Sequence, residues 1–150
     1  MILGVIIKKL RKDEDRRGWL AEIYRSDEIN YQPAMSYVSL TKPGVIRGPH
    51  EHKKQVDFFV FLGPGDFELH LWDRREGKET HGEYIKINAG ESEPAAILVP
   101  PGVVHGYKCV SKNDGLCINL PDKLYRGKGK KDEADEIRWE DDPESPYKIM

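Results

Sequence analysis

Residues 67–72 read Phe-Glu-Leu-His-Leu-Trp, an alternation that puts Phe67, Leu69 and Leu71 on one face of an extended chain. Short apolar segments of this kind recur along the sequence, at 4–7, 19–24, 35–40, 56–62, 84–87, 96–99, 104–110 and 116–120. Turn formers stand between them: Lys-Pro-Gly at 42–44, Gly-Pro-Gly at 63–65, Glu-Gly at 76–77, Pro-Pro-Gly at 100–102 and Lys-Asn-Asp-Gly at 112–115. Many short strands at regular spacing predict an all-β sandwich or barrel. The one helix expected lies near Asp132–Ile137. The basic, glycine-containing stretch 123–131 reads as a surface loop or mobile tail.

At 150 residues the chain is expected to form one domain, 1–150, with a single core. A net charge of −2 provides no global field for nucleic acid or an anionic membrane, so any anionic ligand must be held by a local group of Arg and Lys. The N-terminus places its apolar run before its charges, the reverse of a signal peptide, and no apolar stretch reaches transmembrane length. These features predict a cytoplasmic protein. Cys109 and Cys117 lie in apolar surroundings, as expected of reduced, partly buried thiols.

Two strings carry chemistry. Gly44-Val-Ile-Arg-Gly-Pro-His50-Glu-His52 sets two histidines at i and i+2, on one face of a strand. Pro100-Pro-Gly102-Val-Val-His105 leads from a tight turn into a strand. Together, in this order, they resemble the paired motifs of the cupin superfamily. That resemblance implies a double-stranded β-helix, or jelly-roll barrel, with His50, His52 and His105 facing its cavity. In metal-binding cupins an acidic residue after the histidine pair completes the site. Asp57 stands at a suitable interval, with Gln55 nearer. Three imidazoles and a carboxylate suit a divalent transition metal. The alternative is a metal-free site in which the histidines move protons or bind ligand. His70 and His81 fall outside both motifs and read as ordinary surface or core residues.

Four segments extend the resemblance to the dTDP-4-dehydrorhamnose 3,5-epimerase family. They are Asp15-Arg-Arg17-Gly18-Trp-Leu-Ala-Glu22, Gly44-Val-Ile-Arg47-Gly48-Pro-His50, Pro101-Gly-Val-Val-His105-Gly106-Tyr107 and Ile137-Arg-Trp139-Glu-Asp-Asp142-Pro143. The stretch from Gly65 to Asp73, followed by His81-Gly82-Glu-Tyr, is similar to the family's next strand and hairpin. The resemblance implies an isomerase of a nucleotide-linked 4-keto-6-deoxy sugar in polysaccharide biosynthesis, working without a cofactor. His50 is then the base, with His105 and His52 assisting. Arg17 and Arg47 match arginines that hold the diphosphate. Glu22 matches a nucleotide-contacting acid, and Tyr107 and Asn119 are candidate substrate contacts. The expected partners are a nucleotide-diphosphate sugar and a second copy of the chain. Family dimers exchange N-terminal strands, which would carry Arg17 and Glu22 to the neighbour's cavity.

The pattern also breaks. The family's active-site lysine has no counterpart in Val-Asp57-Phe-Phe, and Asn119 stands where its tyrosine acid is expected. Met150 is reached without the late aspartate that partners the base. The string Arg47-Gly-Pro-His50-Glu-His52-Lys-Lys is similar to the sugar-nucleotide 3,4-ketoisomerases, which share the fold. A metal-dependent cupin using His50, His52, Asp57 and His105, and a non-catalytic sugar-nucleotide binder, remain as alternative expectations.

Overall fold

The computed structural model describes all residues 1–150. Strands run as β1 (Ile6–Lys9), β2 (Asp13–Asp15), β3 (Gly18–Leu20), β4 (Tyr37–Thr41), β5 (Ile46–Glu51) and β6 (Asp57–Phe61). They continue as β7 (Asp66–Asp73), β8 (Tyr84–Gly90), β9 (Ala95–Val99), β10 (Val103–Cys109), β11 (Gly115–Asn119) and β12 (Ile137–Arg138). Two five-stranded antiparallel sheets face each other, in the orders β1-β9-β6-β11-β4 and β12-β5-β10-β7-β8. This is the expected all-β jelly roll, and β2 and β3 form a separate hairpin.

Alternation decides what enters the space between the sheets. Phe59 and Phe61 of β6, Phe67, Leu69 and Leu71 of β7, Ile97 and Val99 of β9, and Tyr107 and Cys109 of β10 make one buried cluster. Asp57 shares the inward parity of Phe59 and Phe61, so a carboxylate is carried into the interior. The opposite parity, Phe58, Val60, Ala96 and Leu98, forms a second cluster on the outer face of the first sheet.

Residues 21–31 cover that outer face, which changes the early strand: it stops at Leu20 instead of running to Tyr24. Ile23, Tyr24, Ile29 and Tyr31 pack on the second cluster, with Tyr31 stacked on Phe58 at 5.5 Å between ring centroids. Burying these rings outweighs extending a hairpin that has no sheet beneath it. The helix expected near Asp132–Ile137 does not form. That segment is irregular until β12, and it is held by its polar groups: the Asp135 carboxylate accepts the backbone N–H groups of Lys53, Lys54 and Gln55 at 2.8–3.1 Å. Residues 123–131 are surface loop, as expected, with a short 3-10 turn at Lys128–Lys130. Cys109 and Cys117 are free and buried.

The turn after β7 is closed by one carboxylate. Asp73 accepts Arg75 Nε at 2.8 Å, Arg75 Nη2 at 2.7 Å and Thr80 Oγ1 at 2.5 Å. Thr80 and Arg75 in turn hold the backbone of Leu3. Burial works to raise the Asp73 pKa, but these bonds overcome it and hold the group at about 2. Because the folded value lies below the unfolded one, the stabilisation is present above pH ~4 and is lost as pH falls towards 2. Asp73→Asn is expected to cost about 1.5–3 kcal/mol at pH 7. Thermal unfolding should show that gap closing between pH 4 and pH 2; a gap independent of pH would contradict the assignment.

Candidate active site

The centre of the cavity is built from strands of both sheets. His50 comes from β5, His52 follows it, Asp57 opens β6, His105 lies on β10, and Asn119 ends β11. A β-bulge tunes β5. Its register against β10 pairs His50 with His105 and Arg47 with Tyr107, so β5 holds one residue more than its partner. Opposed residues share a face, which turns both Arg47 and His50 inward although they are three apart. Gly48 makes this possible: its φ is +81°, and a Cβ there would meet the His105 carbonyl oxygen at 2.8 Å.

The three imidazoles surround one carboxylate. Ring centroids are 4.6 Å apart for His50 and His105, 5.6 Å for His50 and His52, and 5.8 Å for His52 and His105. Asp57 Oδ2 lies 3.0 Å from His52 Nε2 and 3.1 Å from His105 Nε2. These are hydrogen-bond distances without hydrogen-bond alignment, so Asp57 Oδ2 and His105 Nε2 remain buried atoms without a bond. The other oxygen, Asp57 Oδ1, is fully engaged, accepting the Gln55 and Asn119 side-chain amides at 2.9 Å each. Each of two rings is fixed from behind. His105 Nδ1 donates to the Val103 carbonyl at 2.9 Å, and His52 Nδ1 donates to the Asp135 carbonyl. His50 has no such anchor.

Charge is shared unevenly. Burial, then the charges of His105 and His52, hold the His50 pKa well below its ordinary value. Burial opposes charge on His52 too, but the Asp57 carboxylate prevails and raises it to about 9. Burial would raise Asp57, but the contacts from His105 and His52 keep it well below the usual carboxylate range.

Tyr37 is the residue that sequence reasoning missed. It faces inward from β4, and its phenol oxygen accepts Asn119 Nδ2 at 3.0 Å. A phenol therefore stands beside Asn119, supplied by an edge strand of the same sheet. The residue is 46% exposed as a whole, but desolvation around its inward-turned hydroxyl pushes its pKa up to about 12. No local motif marks it; only the β4–β11 pairing, Tyr37 opposite Asn119, brings the two together.

The remaining expected residues divide. Arg47 is exposed on β5, its guanidinium bonded to Thr41 Oγ1 and the Leu40 carbonyl. Tyr107 is buried among aromatic rings, with its hydroxyl 3.0 Å from Ser39 Oγ. Arg17 and Glu22 are not brought to this cavity. Arg17 is 82% exposed and paired with Asp15 on the β2–β3 hairpin, and Glu22 pairs with Arg25. His70 is buried between Trp72 and Tyr84, and His81 is exposed. Gln55 and Asp57 both reach the cluster.

Two antiparallel sheets enclosing three histidines and a buried aspartate define a cupin-fold protein with a cavity equipped for proton transfer or metal holding. Residues 1–145 match the dTDP-4-dehydrorhamnose 3,5-epimerase family, and the chain belongs to that family. It is 38% identical over 127 residues to the probable low-salt glycan biosynthesis epimerase Agl13 of Haloferax volcanii, covering 83% of this chain and 81% of that one. It is also 38% identical over 146 residues to the spore coat polysaccharide biosynthesis protein SpsL of Bacillus subtilis, covering 95% of this chain and 93% of that one. Among solved structures, a dTDP sugar isomerase from Desulfovibrio desulfuricans G20 superposes with a TM-score of 0.84 at 22% identity, over 97% of this chain and 90% of that one, which supports the fold. No helix is long and apolar enough to cross a membrane.

Proposed function

We propose that this protein is an epimerase or isomerase of a nucleotide-linked 4-keto-6-deoxy sugar, serving glycan or polysaccharide biosynthesis. Its family and the names of its relatives support the substrate class. The observation that carries the chemistry is His50: an imidazole inside the cavity, beside His105 and His52, whose nitrogens are not committed to a protein hydrogen bond. The C4 ketone of such a sugar acidifies the C–H bonds beside it. His50 removes one of these protons, leaving an enolate, and delivery of a proton to the other face inverts the carbon. Tyr37 is the donor for that second delivery, since its phenol oxygen accepts from Asn119 and keeps its own proton available.

Arg47 suits the diphosphate because its planar fork binds phosphate oxygens in pairs. In the same reading the protein is a homodimer. The exposed hairpin, with Trp19 and Leu20 at 48% and 64% exposure, brings Arg17 and Glu22 to the neighbouring cavity. Sedimentation showing a monomer at assay concentration would remove both residues from the site. The shared face of His50 and His52 also favours a 3,4-ketoisomerase outcome, in which a proton leaves C3, O4 gains a proton as the C3 hydroxyl loses its own, and C4 is protonated, so that the ketone moves to C3.

The test is incubation with a dTDP-4-keto-6-deoxy sugar in D₂O. Deuterium at C3 or C5 is expected, and product analysis separates inversion from carbonyl migration. Binding without any exchange would overturn the proposal and leave a sugar-nucleotide binder.

A further inference from the structure

We propose that Glu51, Lys53 and Arg74 form a second ligand site, outside the barrel cavity, for a small phosphate monoester that carries hydroxyl groups, such as a sugar phosphate. Glu51 follows His50 on β5 and therefore faces the other side of the sheet. Lys53 lies just past β5, and Arg74 and Arg75 just past β7. Together with Gly102 these residues line a pocket of about 250 Å³. That is below the ~300 Å³ at which pockets for larger ligands begin, so it suits a small ester rather than a nucleotide.

Three cations meet there, and they are not equally engaged. Arg75 is committed, with Nε and Nη2 on Asp73 and Nη2 also on the Leu3 carbonyl. Its stem crosses Gly102, where a Cβ would come within 2.7 Å of Arg75 Cγ, so Arg75 serves as wall. Arg74 is held but not used up. Its Nη1 donates to Glu51 Oε1 at 2.7 Å and its guanidinium lies 5.3 Å from the centre of the Trp139 ring, which leaves Nε and Nη2 without a protein partner. Lys53 engages only its backbone N–H, on the Asp135 carboxylate. A guanidinium already fixed on one edge and one face loses little freedom when its other edge takes phosphate oxygens.

Glu51 decides what kind of anion fits. The residue is 1% exposed, and Oε1 accepts both from Arg74 and from Trp139 Nε1 at 3.3 Å. Oε2 is buried and has no partner. Buried carboxylate oxygens are rarely left so, and this one calls for a donor. A bare anion seated on Lys53 and Arg74 would be repelled by it, and an ammonium group would be repelled by the cations. An ester whose phosphate meets Lys53 and Arg74 while a hydroxyl donates to Glu51 Oε2 satisfies both demands. His52 borders this pocket and also contacts Asp57 inside the barrel, so an occupant abuts the catalytic cluster without entering it. The site itself does not rest on the isomerase reading.

The experiment is calorimetric titration of the full chain at low ionic strength with glucose 6-phosphate, with inorganic phosphate and glucose as comparisons. One equivalent of the ester is expected to bind with a Kd of about 0.1–1 mM, phosphate about tenfold more weakly or worse, and glucose not at all. Added salt should weaken binding, since Lys53 and Arg74 are exposed. Arg74→Met and Lys53→Met should each weaken the ester about tenfold or more. Arg74→Met also strips Glu51 of its ion pair; Lys53→Met, on an exposed turn, covers the case in which that variant does not fold. Glu51→Gln should erase the preference for the ester over phosphate. No binding of the ester below about 10 mM would overturn the site, as would binding unchanged in Lys53→Met and Arg74→Met. Equal binding of ester and phosphate by the parent protein would overturn the part given to Glu51. Loss of binding in Arg47→Met but not in Lys53→Met would put the ester in the barrel cavity and overturn the second site. No keto sugar is involved, so failure of this site and failure of the isomerase reading are seen separately.

Discussion

His50→Asn is expected to lower solvent-deuterium exchange into the sugar by about 10³- to 10⁴-fold while leaving nucleotide-sugar binding near its original strength. The ring makes no hydrogen bond to the protein, so its removal strands no buried partner, and the thermal midpoint should move little. His52 and His105 do not replace it, because each has Nδ1 bonded to a backbone carbonyl and Nε2 turned to Asp57. Exchange and binding are both read by mass spectrometry and calorimetry on the same preparation. Exchange within about tenfold of the parent would move the base to another group. A parallel fall in binding would instead make His50 a sugar contact.

The chemistry of the cavity follows from which groups are held and which are free. Asp135 holds the 53–55 turn by its carboxylate and His52 by its carbonyl, and so places two of the site's residues from a segment with no regular structure of its own. Asn119 joins Asp57 to Tyr37 and also accepts the Phe58 backbone N–H at 3.0 Å, which fixes its orientation. His50 and the Tyr37 proton are the groups left uncommitted. In a site built for proton transfer these are the positions that need freedom.

Much of this was legible in the sequence because it depends on local periodicity. Alternation along 67–72 placed Phe67, Leu69 and Leu71 in the core, and the i, i+2 spacing placed His50 and His52 on one face. Asp57 was legible as a ligand candidate only through its interval after the histidine pair in the cupin resemblance; its inward direction follows from the parity it shares with Phe59 and Phe61. The rest depends on contacts distant in the chain. The inward turn of Arg47 needs a bulge visible only once β5 is paired with β10. The end of β3 at Leu20 follows from a patch formed by β6 and β9, far along the chain. The acidic stretch 132–137 resembles a helix start, but its carboxylate finds three backbone N–H groups near residue 54 and forms none of its own. Tyr37 gives no signal at all, since its neighbour in space is Asn119.

Tyr37→Phe should uncouple exchange from inversion. The phenol stands beside Asn119 with its own proton unbonded to the protein, and its raised pKa keeps it protonated at any working pH. Removing its hydroxyl leaves the Asn119 amide still bonded to Asp57, so the cluster should stay in place. His50 can then take a proton from the sugar and return one from the same side. Deuterium should continue to enter at a rate within about tenfold of the parent, while formation of inverted product falls about 10²- to 10³-fold. Proton NMR of the sugar in D₂O reads both quantities in one sample, as loss of the C3 or C5 signal and as the coupling pattern of the product. Equal loss of exchange and inversion would mean that Tyr37 assists proton removal. Unchanged inversion would mean that the second proton arrives from solvent or from another side chain. In either case Tyr37 would lose its place as the donor, while His50 would keep its own.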